Sequence, residues 1–220
     1  MLIFRGINLD YFSKKNISEK KLSILKSDWR IVESSVKILL PGRLVSWKGH
    51  EKFIEALNIL IQDYSNPNFQ AIILGSDRGI KVYKKKLLDL VQRYNLNKRI
   101  AFIESLREMP LAYSIADIVV SSSTRPEAFG RIAVEAQAME KPVVASNIGG
   151  SKETILNKKS GFLYEYNDPR DLAKILNTLM EKDKDTLNSI GIEGRKNVSK
   201  KFDVEKMCNT TFTEYKKLLN

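Results

Sequence analysis

The strongest constraint on what this chain can fold into is a rhythm that runs through its centre. Short runs rich in Val, Ile and Leu, such as Val36-Lys37-Ile38-Leu39-Leu40 and Asp117-Ile118-Val119-Val120-Ser121, alternate with longer amphipathic stretches. Near-continuous apolar runs suit strands covered on both faces, and parallel strands need a crossover of about a dozen residues, usually a helix. The alternation predicts strands at 36–40, 69–74, 100–103, 117–121 and 142–146, with helices at 50–64, 82–94, 109–115 and 130–139 between them. Turns are marked by Asn66-Pro67, Gly75-Ser76-Asp77 and Asn147-Ile148-Gly149-Gly150. The expected fold class is α/β, a Rossmann-like doubly wound parallel sheet with a C-terminal helical tail.

The flanks lack this rhythm. Residues 1–35 read as a lead-in, 36–182 as the sheet domain, and 183–220 as a helical tail that packs on that domain or on a surface outside the chain. After Gly161 an extended piece at 162–166 ends at Asn167-Asp168-Pro169, where Asp168 suits a helix N-cap and Pro169 the first turn. In the last tail helix Val204, Met207, Cys208, Thr211, Phe212, Tyr215 and Leu219 recur at three- and four-residue steps, so one side is apolar. Cys208, the single cysteine, reads as core filler, and the single histidine, His50, has no metal-ligand spacing around it. No segment approaches the roughly 18 consecutive apolar residues of a membrane span. The start, MLIFRGINLDYF, lacks the pattern of a secretory signal, so cytoplasmic residence is expected, with peripheral contact at the inner face of the membrane as an extension of it.

Lys and Arg number 37 against 26 Asp and Glu, a formal net charge of +11. That balance favours polyanionic partners: nucleic acid, anionic lipid or phosphorylated ligands. Most lysines lie among acids at helix-surface spacing and no basic motif is interleaved with aromatics, so nucleic acid is not expected.

In a doubly wound sheet, ligands bind beyond the carboxyl ends of the strands. After the first predicted strand comes Gly42-Arg43-Leu44-Val45-Ser46-Trp47-Lys48-Gly49, two cations in a loop that ends at a helix start. A guanidinium binds two phosphate oxygens at once, an ammonium adds a point charge, and free N–H groups at a helix start supply further donors, a set suited to a diphosphate. After the fourth strand comes Ser122-Ser123-Thr124-Arg125-Pro126-Glu127-Ala128-Phe129-Gly130-Arg131, then a helix carrying Glu135. Glu127 precedes that helix and Glu135 lies about one and a half turns into it, so the two carboxylates can flank one ligand at different depths. A carboxylate accepts paired hydrogen bonds from vicinal hydroxyls, so one suits a ribose diol and the other a hexose. The N–H groups around Phe129, Gly130 and Arg131 face an anion at the helix start.

The segment EAFGRIAVE, from Glu127 to Glu135, resembles the Glu-x7-Glu signature of glycosyltransferase family 4, whose members are retaining enzymes of the GT-B architecture, in particular lipopolysaccharide and cell-envelope sugar transferases. AQAMEKPVVASNIGGSKETI continues the pattern, GRLVSWKG resembles the family's phosphate-binding Arg and Lys, and RGINLDYF resembles the linker that leaves its N-terminal domain. Gly75-Ser76-Asp77-Arg78-Gly79 departs from the Gly, any residue, Gly-Pro usual in the family's second turn.

The resemblance implies a glycosyltransferase that moves a hexose-type sugar, with retention, from a nucleoside diphosphate sugar to a cell-envelope glycan or lipid-linked acceptor. It assigns Arg43 and Lys48 to the diphosphate, Glu127 to the hexose and to charge near its anomeric carbon, and Glu135 to the ribose. Gly42, Gly75, Phe129, Gly130 and Arg131 would line the donor, while Glu104 and Ser105, in the loop 103–106, would lie along the nucleobase. No cofactor and no metal are expected, because Arg43 and Lys48 would stabilise the leaving diphosphate. The acceptor-binding N-terminal domain would be a separate or missing partner, leaving this chain incomplete or inactive alone. The alternatives are a non-catalytic nucleotide-sugar-binding module and a basic binder of nucleic acid or membrane surface.

Overall fold

The computed structural model describes residues 2–65, 67–79 and 81–219. Met1 of the lead-in, Asn66 of a predicted turn and Asn220 of the tail lie outside the described residues.

In chain order the elements are α1 (Glu19–Asp28), β1 (Val36–Pro41), α2 (His50–Asp63), β2 (Phe69–Leu74), α3 (Lys81–Arg93), β3 (Ile100–Ile103), α4 (Met109–Ile115), β4 (Ile118–Ser121), α5 (Arg131–Ala138), β5 (Val143–Ser146), α6 (Ser151–Thr154), β6 (Phe162–Tyr164), α7 (Pro169–Met180), α8 (Lys184–Lys201) and α9 (Val204–Leu219). The six strands form one sheet in the order β3-β2-β1-β4-β5-β6, and every neighbouring pair is parallel. The five strands expected from the apolar runs are all present, and the extended piece after Gly161 adds β6 at one edge.

Successive strand residues point to opposite faces, and the burial divides accordingly. Ile38, Leu40, Ile73 and Val120 pack with Phe53, Leu57 and Leu60 of α2 and Leu172 and Leu176 of α7. On the other face Leu39, Ile72, Val119 and Ala145 pack with Tyr113 of α4, Ala133, Val134 and Ala136 of α5, and Val198 before the end of α8. Asp168 caps α7 through its side chain, accepting from the N–H groups of Arg170 and Asp171, with Pro169 as the first helical residue. This cap follows the predicted local chemistry.

The lead-in is more structured than expected. It holds α1, with Ser18 accepting from the Lys21 N–H at its start, and this helix packs on α4. Its apolar content is thin: Leu22 and Leu25 are only partly covered, and the nearby Trp29 supplies the buried anchor. Upstream, Ile7 pairs with the chain after α8, its N–H donating to Phe202 O at 2.8 Å and its carbonyl accepting from the Val204 N–H at 3.0 Å. Arg195 of α8 donates to the carbonyls of Phe12 (2.7 Å), Leu9 (3.3 Å) and Ala138. The lead-in and α8 are therefore strapped to the sheet domain.

The final helix differs. α9 buries none of its residues, Phe212 and Tyr215 being 60% and 64% exposed. Cys208 is exposed as well, which corrects its reading as core filler: the lead-in meets α9 at Met207, whose Sδ accepts from the Gly6 N–H at 3.2 Å, and leaves Cys208 uncovered.

Candidate active site

The sheet order places β1 between β2 and β4, so the chain leaves β1 toward one side and enters β4 on the other. Loops diverge at such a switch point and leave a crevice beyond the carboxyl ends of the strands. The loop after β1 and the loop after β4 both open here, and the backbone locks them together. Thr124 N–H donates to Trp47 O at 2.8 Å, and the Ser122 hydroxyl contacts the carbonyls of Lys48 and Gly49 at 3.0 and 3.1 Å.

Two glycines permit this approach. A Cβ on Gly49 would lie 1.7 Å from Ser122 O, and the residue has φ +73°, in the left-handed region that side chains disfavour. A Cβ on Gly75, after β2, would lie 1.8 Å from Gly42 O. Gly75 N–H donates to Ile103 O at 2.8 Å, which brings the loop after β3, with exposed Glu104 and Ser105, into the same row. The Glu104 carboxylate contacts Lys84 at 3.4 Å.

Across this crevice Lys48 Nζ stands 2.8 Å from Glu127 Oε1, with the two side chains only 12% and 17% exposed. The Ser123 hydroxyl donates to the same carboxylate oxygen. Glu127 is held from below too, since its backbone carbonyl accepts from the Gly150 N–H at 2.7 Å. An ammonium carries three donors, so the ion pair leaves Lys48 further capacity toward an anion. Arg43 is exposed in the same loop and its guanidinium has no partner among the described residues.

At the start of α5, Gly130 takes the capping position with φ +73°. The N–H groups of Phe129, Gly130 and Arg131 donate to nothing among the described residues. Phe129 packs edge-on against Phe202, ring centroids 5.7 Å apart, so the tail supports this loop. Glu135 is buried, as the small apolar residues around it predict. A lone carboxylate there would be strongly destabilising, and it is not alone: Oε2 accepts from the Tyr113 hydroxyl at 2.7 Å and Oε1 from Arg131 Nε at 2.5 Å. Burial first, then the negative Glu135, holds the Tyr113 phenol well above its ordinary pKa, so it is a permanent donor.

His50, the first residue of α2, lies fully buried beneath the cationic loop. Neither ring nitrogen makes a hydrogen bond of normal geometry. Burial is the main cause lowering its pKa to about 4, offset in part by the nearby backbone of Gly42 and Val45. It is therefore neutral at pH 7 and adds no charge to the loop.

The sequence pattern of the family described as Glycosyl transferases group 1 matches residues 23–197. The chain belongs to this family. Among curated proteins it is similar to the capsular polysaccharide biosynthesis glycosyltransferase CapM of Staphylococcus aureus, 27% identical over 97% of this chain and 56% of that protein. Among solved structures it is similar to a glycosyltransferase from Rickettsia africae ESF-5, with TM-score 0.94 and 32% identity over 100% of this chain and 57% of that one. It is also similar to Anabaena Alr3699/HepE in complex with UDP-glucose, with TM-score 0.86 and 30% identity over 98% of this chain and 56% of that one. The chain thus spans little more than half the length of these GT-B glycosyltransferase relatives. No helix among its described residues is long and apolar enough to cross a membrane.

Of the residues singled out in this chain, Lys48 meets Glu127 directly, Gly75 abuts Gly42 beside Arg43, and Glu135 is bonded to Arg131 one turn after Gly130, while Phe129 and Arg131 also border a separate cavity formed with Gly6, Ile7 and Phe12 of the lead-in. Glu104 and Ser105 continue the row past Gly75. Tyr113, Ser122 and Ser123 were not singled out as site residues. The serines follow β4 directly and carry a visible signal, a polar run at a strand's carboxyl end. Tyr113 carries none, because an aromatic in a short apolar helix reads as core.

Proposed function

We propose that this chain is the donor-binding half of a retaining glycosyltransferase of family 4, taking a hexose-type sugar from a nucleoside diphosphate sugar. The observation that carries the reading is the meeting of Lys48 and Glu127 between the loops at the switch point, 2.8 Å apart, with exposed Arg43 on the same loop. A neutral ligand has no use for that excess of cation, whereas a diphosphate supplies the missing negative charge. The HepE structure, which holds UDP-glucose in the same fold, supports a nucleotide sugar as the ligand class.

In this reading Arg43 and Lys48 bind the diphosphate and act most strongly in the transition state, as charge gathers on the leaving group. The free N–H groups of Phe129, Gly130 and Arg131 add donors toward the sugar or phosphates. Glu127 lies beside the hexose as a charge stabiliser, its carboxylate already ion-paired in the resting site. Glu135, behind it, takes the ribose. The acceptor is a cell-envelope glycan or lipid-linked sugar, and its binding groups belong to a second lobe, since relatives of this fold are nearly twice as long.

A thermal-shift panel with UDP, GDP and ADP tests the reading. At least one raises the melting temperature of this chain, and Glu135→Ala weakens that shift. No shift with any of the three would overturn the proposal. EDTA leaves the shift unchanged, because the phosphates are assigned to side-chain and backbone donors. The chain alone shows little or no sugar transfer, and robust turnover by it would overturn the assignment to half of a site.

A further inference from the structure

We propose that Tyr113 and Arg131 are positioning residues that clamp the Glu135 carboxylate, aiming its unused lone pairs at a ribose diol and so making the site select ribonucleotides over 2′-deoxyribonucleotides. This deepens the reading above and rests on its assignment of Glu135 to the ribose.

The geometry carries the step. A carboxylate offers about four lone-pair directions. The Tyr113 hydroxyl occupies one on Oε2 at 2.7 Å, and Arg131 Nε occupies one on Oε1 at 2.5 Å. Each oxygen keeps an accepting direction, so two donors held side by side fit what is left. Vicinal hydroxyls are such donors; a 2′-deoxyribose has lost one of them. Glu135 is only 6% exposed, so bulk water does little to replace a missing hydroxyl. Sites that hydrogen-bond a substrate hydroxyl from a buried group reject the analogue lacking it for this reason.

The two arms differ in rigidity. Arg131 sits one helical turn before Glu135 and its side chain is largely exposed, so alone it is a loose tether. Tyr113 comes from α4, is wholly buried, and its ring stands edge-on to Phe12 with centroids 6.2 Å apart. Its hydroxyl therefore has a fixed position relative to the sheet, and the bond ties α4, which follows the loop 104–108, to α5, which follows the Glu127 loop. Tyr113 touches no ligand in this account; it acts only through Glu135.

Calorimetry on this chain tests the clamp, using whichever of UDP, GDP and ADP binds tightest and its 2′-deoxy form. The native chain prefers the ribonucleotide about tenfold, the effect of roughly one hydrogen bond to a charged group. Tyr113→Phe reduces that preference to less than about threefold by weakening the ribonucleotide, while the deoxy form stays within about twofold. Arg131→Gln, at an exposed position that does not threaten folding, moves the preference in the same direction by less. A preference unchanged in both variants, or equal weakening of both ligands, would overturn the clamp and leave the ribose assignment standing. No preference in the native chain would remove the ribose assignment, and the clamp with it.

Discussion

Strands β1 and β4 carry charge at both of their ends, and the two ends behave differently. At the amino end Lys37 and Asp117 pair at 3.0 Å, the Lys37 N–H donates to the same carboxylate oxygen at 2.8 Å, and the Lys37 ammonium also reaches Ser35 O at 2.9 Å. Lys141 nearby donates to Ser114 O at 3.3 Å. Each of these charged side chains is engaged within the protein. At the carboxyl end Lys48 and Glu127 also pair, but Arg43 and three N–H groups at the start of α5 have no partners among the described residues, and Gly49 and Gly75 hold the backbones close. Charge alone does not distinguish the two ends. Unspent hydrogen-bonding capacity does.

Substitutions at the two ends should therefore separate stability from ligand binding. The largest effect is expected at Gly49, where alanine would drive a Cβ into Ser122 O and strain a positive φ. Gly49→Ala should destabilise the chain by about 3 kcal/mol or more, a fall of roughly 6–12 °C in melting temperature, and remove nucleotide binding. A stable variant with normal binding would break the rim half of the comparison. Next, Arg43→Ala should weaken nucleoside diphosphate binding about tenfold to a hundredfold at unchanged melting temperature, while Lys37→Ala at the other end lowers stability and changes affinity less than twofold. Equal effects on affinity would erase the distinction.

The two ends should also titrate in different windows. His50 has its pKa lowered from 6.5 to about 4, so as the pH falls below 6.5 the unfolded chain takes up a proton first. Stability then declines down to about pH 4, and His50→Leu should remove that slope. Lys141 has its pKa lowered from 10.5 to about 8, chiefly by burial and then by Lys14. The unfolded chain holds the extra proton between these values, so stability should rise from about pH 8 to 10.5, and Lys141→Met should flatten that rise. Melting temperatures measured across pH 4 to 11 check both signs. The smallest effect belongs to α9: Phe212→Ser, at an exposed face, should change stability by no more than about 0.5 kcal/mol, as read by denaturant unfolding.

The sheet was legible in the sequence because its strands are buried on both faces and therefore spelled as unbroken apolar runs, bounded by polar crossovers. The Asp168-Pro169 start of α7 was legible because capping is local chemistry. What lay hidden depends on partners remote in sequence. Helix α1 has few apolar residues, and its position is set by Trp29 and by α4. The exposure of Cys208 follows from how little of α9 is covered by the described residues, which the periodicity of its own residues cannot report. The rim residues were visible by type and by place after a strand, yet the bond between Lys48 and Glu127 spans 79 positions and exists only because the sheet order makes β1 and β4 neighbours. Tyr113 was hidden for the same reason, since its partner Glu135 lies on another helix.

The most direct test is a crystal structure of this chain grown with UDP, or with GDP or ADP should one of those bind more tightly. The two phosphates are expected to be seated against Arg43 and Lys48, and the ribose hydroxyls within hydrogen-bonding distance of Glu135. A nucleotide bound elsewhere, or with its phosphates turned away from the 42–49 loop, would contradict that placement.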